Sequence, residues 1–95
     1  MITLNQIATK IVNEQELVIG PLAWIEARKV AGLTVDEAHH EATVTGGDPM
    51  TTVDKLVSQY ERLFGRASRE VCREAVASML ADLPAGQVPL SLRAA

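Results

Sequence analysis

Five chemically capable side chains fall within six positions in Asp36-Glu37-Ala38-His39-His40-Glu41. Carboxylates and imidazoles are ligands for Zn²⁺ and partners in acid–base work. On a helix, Glu37 and Glu41 share a face and His40 lies one turn past Glu37. The order is not His-Glu-x-x-His, however, and no third ligand stands at a fixed offset. The stretch reads better as the solvated face of a short helix, and no metal or cofactor is expected.

Cys72 is the only cysteine. A reactive thiol needs exposure and an electropositive setting, but Ala75, Val76 and Met79 share the helical face of Cys72, so a packed core thiol is expected. Gly46-Gly47 lacks the length and the Lys-Ser/Thr of a phosphate loop. No Gly-x-Ser-x-Gly elbow occurs. The chain is therefore read as a non-enzyme.

Arginines supply the remaining chemistry. The run Leu63-Phe-Gly-Arg-Ala-Ser-Arg-Glu-Val-Cys-Arg-Glu-Ala-Val76 resembles a helix-turn-helix. Ser68–Met79 would be its reading helix, and Arg66, Arg69 and Arg73 would meet the nucleic acid. Three departures weigh against it. The turn holds an extra residue, Glu61 stands where a small residue lets such helices touch, and Glu70 and Glu74 would repel phosphate. Pairing of these arginines with Glu70 and Glu74 is the simpler expectation, and DNA binding is kept as the alternative function.

Composition points the same way. The chain has 95 residues, a net charge of −3 and a pI near 5.3. That disfavours a general binder of phosphate backbones or of anionic membranes. A lone cysteine suits a reducing, cytoplasmic setting. No apolar run reaches membrane-spanning length, and the N-terminus lacks the basic and apolar parts of a signal peptide.

The elements that must position these residues form a repeat. Lys10-Ile-Val-(x)3-Glu16-Leu-Val-Ile-Gly20 returns 45 residues later as Lys55-Leu-Val-(x)3-Glu61-Arg-Leu-Phe-Gly65. In register, Val12 meets Val57, Val18 meets Leu63 and Ala27 meets Cys72. Each copy reads as helix, glycine stop, helix. The expected fold is a single all-α domain over 1–95, a small bundle of four to five helices. Repeat one spans about 4–33, a linker about 44–51, repeat two about 52–83 and an irregular tail 84–95.

The first helix starts at a capping box, Thr3-Leu-Asn-Gln6, and the second spans Pro21–Ala31. Thr34-Val-Asp-Glu37 predicts a short helix to about Thr43, although Ala42-Thr-Val-Thr45 suits a strand equally well. Ser68 is the expected N-cap of the last helix. Val18 and Leu63 are placed in the buried stripes. The copies could pair within one chain or, with Gly46-Gly47 as a hinge, across a dimer.

Glu16-Leu-Val-Ile-Gly-Pro-Leu-Ala23 resembles a small helical module of bacterial signalling proteins, with an Ile-Gly-Pro-Ile/Leu-Ala core. Such modules are appended to kinases, cyclases and Roadblock-type regulators. Tyr60-Glu-Arg-Leu-Phe-Gly65 is similar to a Tyr-Glu-Arg-x-x-Gly-Pro-x-Ala form, departing at Arg66 and Ser68. The resemblance covers about 25 residues of each half. It implies an interaction or oligomerisation role with no catalytic residues. Trp24, Ile25, Val88, Leu90 and Leu92 are then the expected partner surface, for a protein partner or a second copy in a homodimer.

Overall fold

A computed structural model describes residues 3–93 as four α-helices with an antiparallel hairpin set between the second and third. The helices are α1 (Leu4–Ile19), α2 (Leu22–Ala27), α3 (Pro49–Phe64) and α4 (Arg66–Leu80). The strands are β1 (Leu33–Asp36) and β2 (Glu41–Val44), and 3₁₀ turns at Ala85–Gln87 and Leu90–Leu92 carry the tail. The chain is therefore mixed α/β, not all-α. The outer ends of the expected domain, Met1-Ile2 and Ala94-Ala95, lie outside the described residues. No helix among the described residues is long and apolar enough to cross a membrane.

The correction lies in 28–44. The second helix stops at Ala27 instead of Ala31, and the short helix expected after Thr34 is a hairpin. Its residues explain why. Thr34, Val35, Thr43 and Val44 are β-branched and favour a pleated surface. Leu33, Val35, Ala42 and Val44 alternate onto one face, and all four are buried or half-buried. Asp36 closes the turn by accepting the His39 N–H at 3.2 Å, and His40 takes a left-handed φ of 53°. The hydroxyl and carboxylate that mimic a capping box have other partners. Thr34 Oγ1 lies 3.1 Å from Thr45 Oγ1, and Glu37 pairs with Arg28.

The outer edge of β2 is closed by α1. Asn5 Oδ1 accepts the Val44 N–H at 2.8 Å. Thr9 Oγ1 accepts the Ala42 N–H at 2.9 Å and donates to the Ala42 carbonyl at 3.0 Å. Asn13 Nδ2 donates to the His40 carbonyl at 3.2 Å. Helix residues four apart thus meet strand residues two apart, and one face of α1 stands in for a neighbouring strand. Unpaired strand edges invite aggregation, and α1 covers this edge.

The repeat is real in three dimensions. Gly20 and Gly65 adopt nearly the same left-handed conformation, with φ of 71° and 88°. Their N–H groups bond the Glu16 and Glu61 carbonyls, each at 2.8 Å. The two copies then reach into each other. Gln15 Nε2 donates to the Ser68 carbonyl at 2.9 Å, and Tyr60 Oη donates to the Ala23 carbonyl at 2.7 Å. Gln15 aligns with Tyr60 and Ala23 with Ser68, so the bonds are reciprocal, as in elements related by a local two-fold. The copies therefore pair within one chain. Ile11, Val12, Leu56 and Val57 fill the core between them, and Ala27 and Cys72 are both fully buried.

Other expectations shift at this interface. Ser68 does not cap α4, which begins at Arg66 directly after Gly65. Val18 and Leu63 fall outside the buried stripes and are exposed. The capping box at Thr3 forms as expected, with the Thr3 N–H on Gln6 Oε1 at 2.8 Å and the Gln6 N–H on Thr3 Oγ1 at 3.3 Å.

Two substitutions separate backbone conformation from space. A Cβ at Gly20 meets nothing, whereas at Gly32, with φ of 86°, it would lie 2.8 Å from the Gly46 carbonyl oxygen and 2.9 Å from Thr52 Oγ1. Holding a non-glycine residue in such a conformation costs about 1–3 kcal/mol. Urea unfolding should therefore rank wild type above Gly20→Ala, and Gly20→Ala above Gly32→Ala. Tyr60→Phe removes the buried bond to the Ala23 carbonyl, which keeps its own helical donor, and should cost about 0.5–1.5 kcal/mol in the same assay.

Candidate functional site

The acidic and histidine cluster does not converge. It occupies the hairpin turn, where Asp36 and His39 face each other while Glu37 and His40 turn to neighbours outside the cluster. Glu37 Oε1 bonds Arg28 at 2.8 Å, and His39 Nδ1 lies 2.7 Å from Asp36 Oδ2. His40 stands edge-on to Trp24 with ring centroids 5.6 Å apart, 3.7 Å from Glu16 Oε1. Among the described residues no three such side chains are placed to hold a metal ion. The cluster serves to close a turn and lay it over Trp24.

Cys72 is fully buried, and burial pushes its thiol up to about 11, although a hydrogen bond from Gln15 Nε2 at 3.2 Å opposes the shift. Such a thiol carries little thiolate near neutral pH. Burial also pushes the Tyr60 phenol upward. Glu26, buried beside them, accepts from Lys29 Nζ at 3.0 Å and Gln59 Nε2 at 2.8 Å, and these two bonds hold its carboxyl below the ordinary range.

The arginines of α4 are partly committed. Arg73 Nη1 bonds Glu70 Oε1 at 3.0 Å, and Arg69 Nη1 lies 3.9 Å from Glu61 Oε2, while Arg66 is exposed. Only Gly65 separates α3 from α4, which leaves no room for the three- to four-residue turn of a DNA-reading pair. Ser68, Cys72 and Val76 are spent on the core.

Two members of the expected partner surface are not on the surface. Trp24 is fully buried, and Leu92 is buried with the tail against α3 and α4. Ser91 anchors that tail through its N–H on Asp54 Oδ1 at 2.9 Å. The reason is size: α2 is one short helix, and Trp24 fills the space between it, α1 and the hairpin turn. Val88 is half-buried, and Leu90 and Ile25 are exposed.

What the structure does expose is an apolar pole. α1 and α4 run antiparallel, with Gln15 against Ser68 and Cys72, and α3 joins α4 at Gly65. The ends of α1 and α3 and the starts of α2 and α4 therefore gather at one end of the molecule. There Leu17 is 80% exposed, Val18 61% and Ile25 47%, joined by Leu22 and Leu63. A groove of about 430 Å³ runs between α1 and α4, lined by Leu17, Val18, Val71 and Ala75 and by the charged Lys10, Glu14 and Glu74. Sequence reading missed Leu17 and Leu22. The signal was in the repeat, since Leu17, Leu22 and Ile25 align with Arg62, Ala67 and Glu70.

No protein family, curated protein or solved structure matches this chain.

The hairpin turn gives a titration test. The Asp36 carboxylate holds the His39 imidazole above its ordinary value of 6.5, and the same bond holds Asp36 below 3.8. The His39 contribution to turn stability is therefore complete below pH 6.5 and lost as pH rises through the raised value. The Asp36 contribution is complete above pH 3.8 and lost as pH falls through its lowered value. In an NMR titration Asp36→Asn should bring His39 back toward its ordinary value. An unchanged His39 curve would show that the contact does not form in solution.

Proposed function

We propose that this chain is a non-enzymatic protein–protein interaction domain that uses the apolar pole to dock an apolar helix of a protein partner. One observation carries the reading. The two copies of the repeat build the same scaffold, yet their outward positions differ in polarity. Copy two presents Arg62, Ala67 and Glu70 where copy one presents Leu17, Leu22 and Ile25, and all six are exposed. The scaffold therefore tolerates charged side chains at two of these positions and a small one at the third, and folding does not require large apolar ones. Large exposed apolar patches mark contact sites.

The groove between α1 and α4 suits a helix laid in by its apolar face, the mode of many small helical receptors. Buried, protonated Cys72 and Tyr60 and a dispersed turn cluster support a role without catalysis, cofactor or metal. The unpaired thiol supports a reducing, cytoplasmic setting. The resemblance of Glu16–Ala23 to modules of bacterial signalling proteins supports a place in signalling. A DNA-reading role has no such support, because Arg69 and Arg73 already face carboxylates.

A photoreactive phenylalanine analogue at position 17 should give one discrete protein adduct in cells. The same analogue at Ser58, exposed on α3, should give none. Val18→Glu in the labelled chain should abolish the adduct while leaving the circular dichroism spectrum unchanged. Equal adducts at 17 and 58, or an adduct that survives Val18→Glu, would sink the proposal.

A further inference from the structure

The hairpin has two edges, and α1 closes only one of them. The hydrogen bonds to α1 also set the phase of the ladder. Ala42 and Val44 turn their peptide groups toward α1, so Glu41 and Thr43 turn theirs toward β1. In the observed register Thr34 pairs with Thr43 and Asp36 with Glu41. Leu33 and Val35 therefore point their backbone groups away from β2, as does the Glu37 N–H.

Several of those outward groups are already engaged. The Leu33 N–H bonds the Val30 carbonyl at 3.2 Å, and the Glu37 carbonyl accepts from the His40 N–H at 3.1 Å. Among the described residues, no hydrogen-bond partner is found for the Val35 N–H, the Val35 carbonyl, the Leu33 carbonyl or the Glu37 N–H. β1 is short and carries one charge, Asp36, but Leu33-Thr-Val-Asp36 has no lysine or proline to block a partner strand.

We infer that β1 pairs with β1 of a second copy, antiparallel and centred on Val35, to form a four-stranded sheet across a two-fold axis. The free groups are the set that this arrangement consumes. Val35 and its counterpart exchange N–H and carbonyl, giving two bonds. Each Glu37 N–H then meets the Leu33 carbonyl of the other copy, giving two more. The bonds that would follow in a longer ladder need the Leu33 N–H and the Glu37 carbonyl, both already used. A foreign strand of ordinary length would leave its own groups unpaired there, whereas a second copy would not. Side chains agree with this register. Thr34 falls opposite Asp36 of the other copy on the solvent face, so a hydroxyl meets a carboxylate and no like charges are directly opposed.

This contact is separate from the apolar pole and does not depend on it. The test combines light scattering with amide hydrogen exchange on the wild-type chain over a concentration series. The expected result is a doubling of molar mass, with protection of the Val35 and Glu37 amides rising in step. The Thr34 and Asp36 amides, held in the ladder, should be protected throughout. Val35→Pro removes one outward donor and leaves the inward ladder intact, so it should return the chain to monomer. If that variant unfolds, the wild-type exchange data still decide. A monomer at every concentration overturns the inference. So does a doubled mass with unprotected Val35 and Glu37 amides, an outcome that would assign the dimer to another surface. Neither result touches the crosslink at position 17.

Discussion

Two buried hydrogen bonds organise this molecule: Gln15 to the Ser68 carbonyl and Tyr60 to the Ala23 carbonyl. Each accepting carbonyl already takes the helical N–H four residues on, so the groups in need are the buried donors, the Gln15 amide and the Tyr60 phenol. Each copy of the repeat supplies the acceptor that the other copy's donor needs. These bonds cross between the helix pairs, which ties the two halves into one cooperative unit. The aliphatic core forms around that exchange. It is small, as expected of a short chain.

This arrangement explains what sequence reading could and could not reach. The repeat was visible because its determinants are local: a glycine able to take a positive φ, apolar residues at helical spacing, and a small residue at Ala27 and Cys72. The long helices and the Thr3 cap followed from the same rules. The hairpin was hidden because Thr34-Val-Asp-Glu37 satisfies a helix-start pattern, and only Ala42-Thr-Val-Thr45 suits a strand equally well. What decides between them is distant in sequence, namely the bonds from Asn5, Thr9 and Asn13. Trp24 misled for a related reason. A large ring on a short amphipathic helix is called surface or core only by what packs across from it, and here that is a turn built by His40.

Polarity at equivalent positions is the most direct link from scaffold to role. A duplicated frame acts as its own control. Where one copy carries arginine and glutamate, the aligned Leu17 and Ile25 of the other are not required by the shared scaffold. The unmatched residues then stand out without an alignment to other proteins.

The ladder between α1 and β2 has a geometric cost that bears on the size of the hairpin. Four residues of helix advance about 6.0 Å, and two residues of strand advance about 6.6 Å. The two scales slip by roughly 0.6 Å at each rung. The lengths follow that drift loosely, from 2.8 Å at Asn5 to 3.2 Å at Asn13. A fourth rung would push the accumulated error toward the limit of a hydrogen bond. The third bond already falls on His40, in the turn just outside β2, so the strand ends before a fourth is called for. A strand paired to a helix face works as a vernier, in step over a few rungs only.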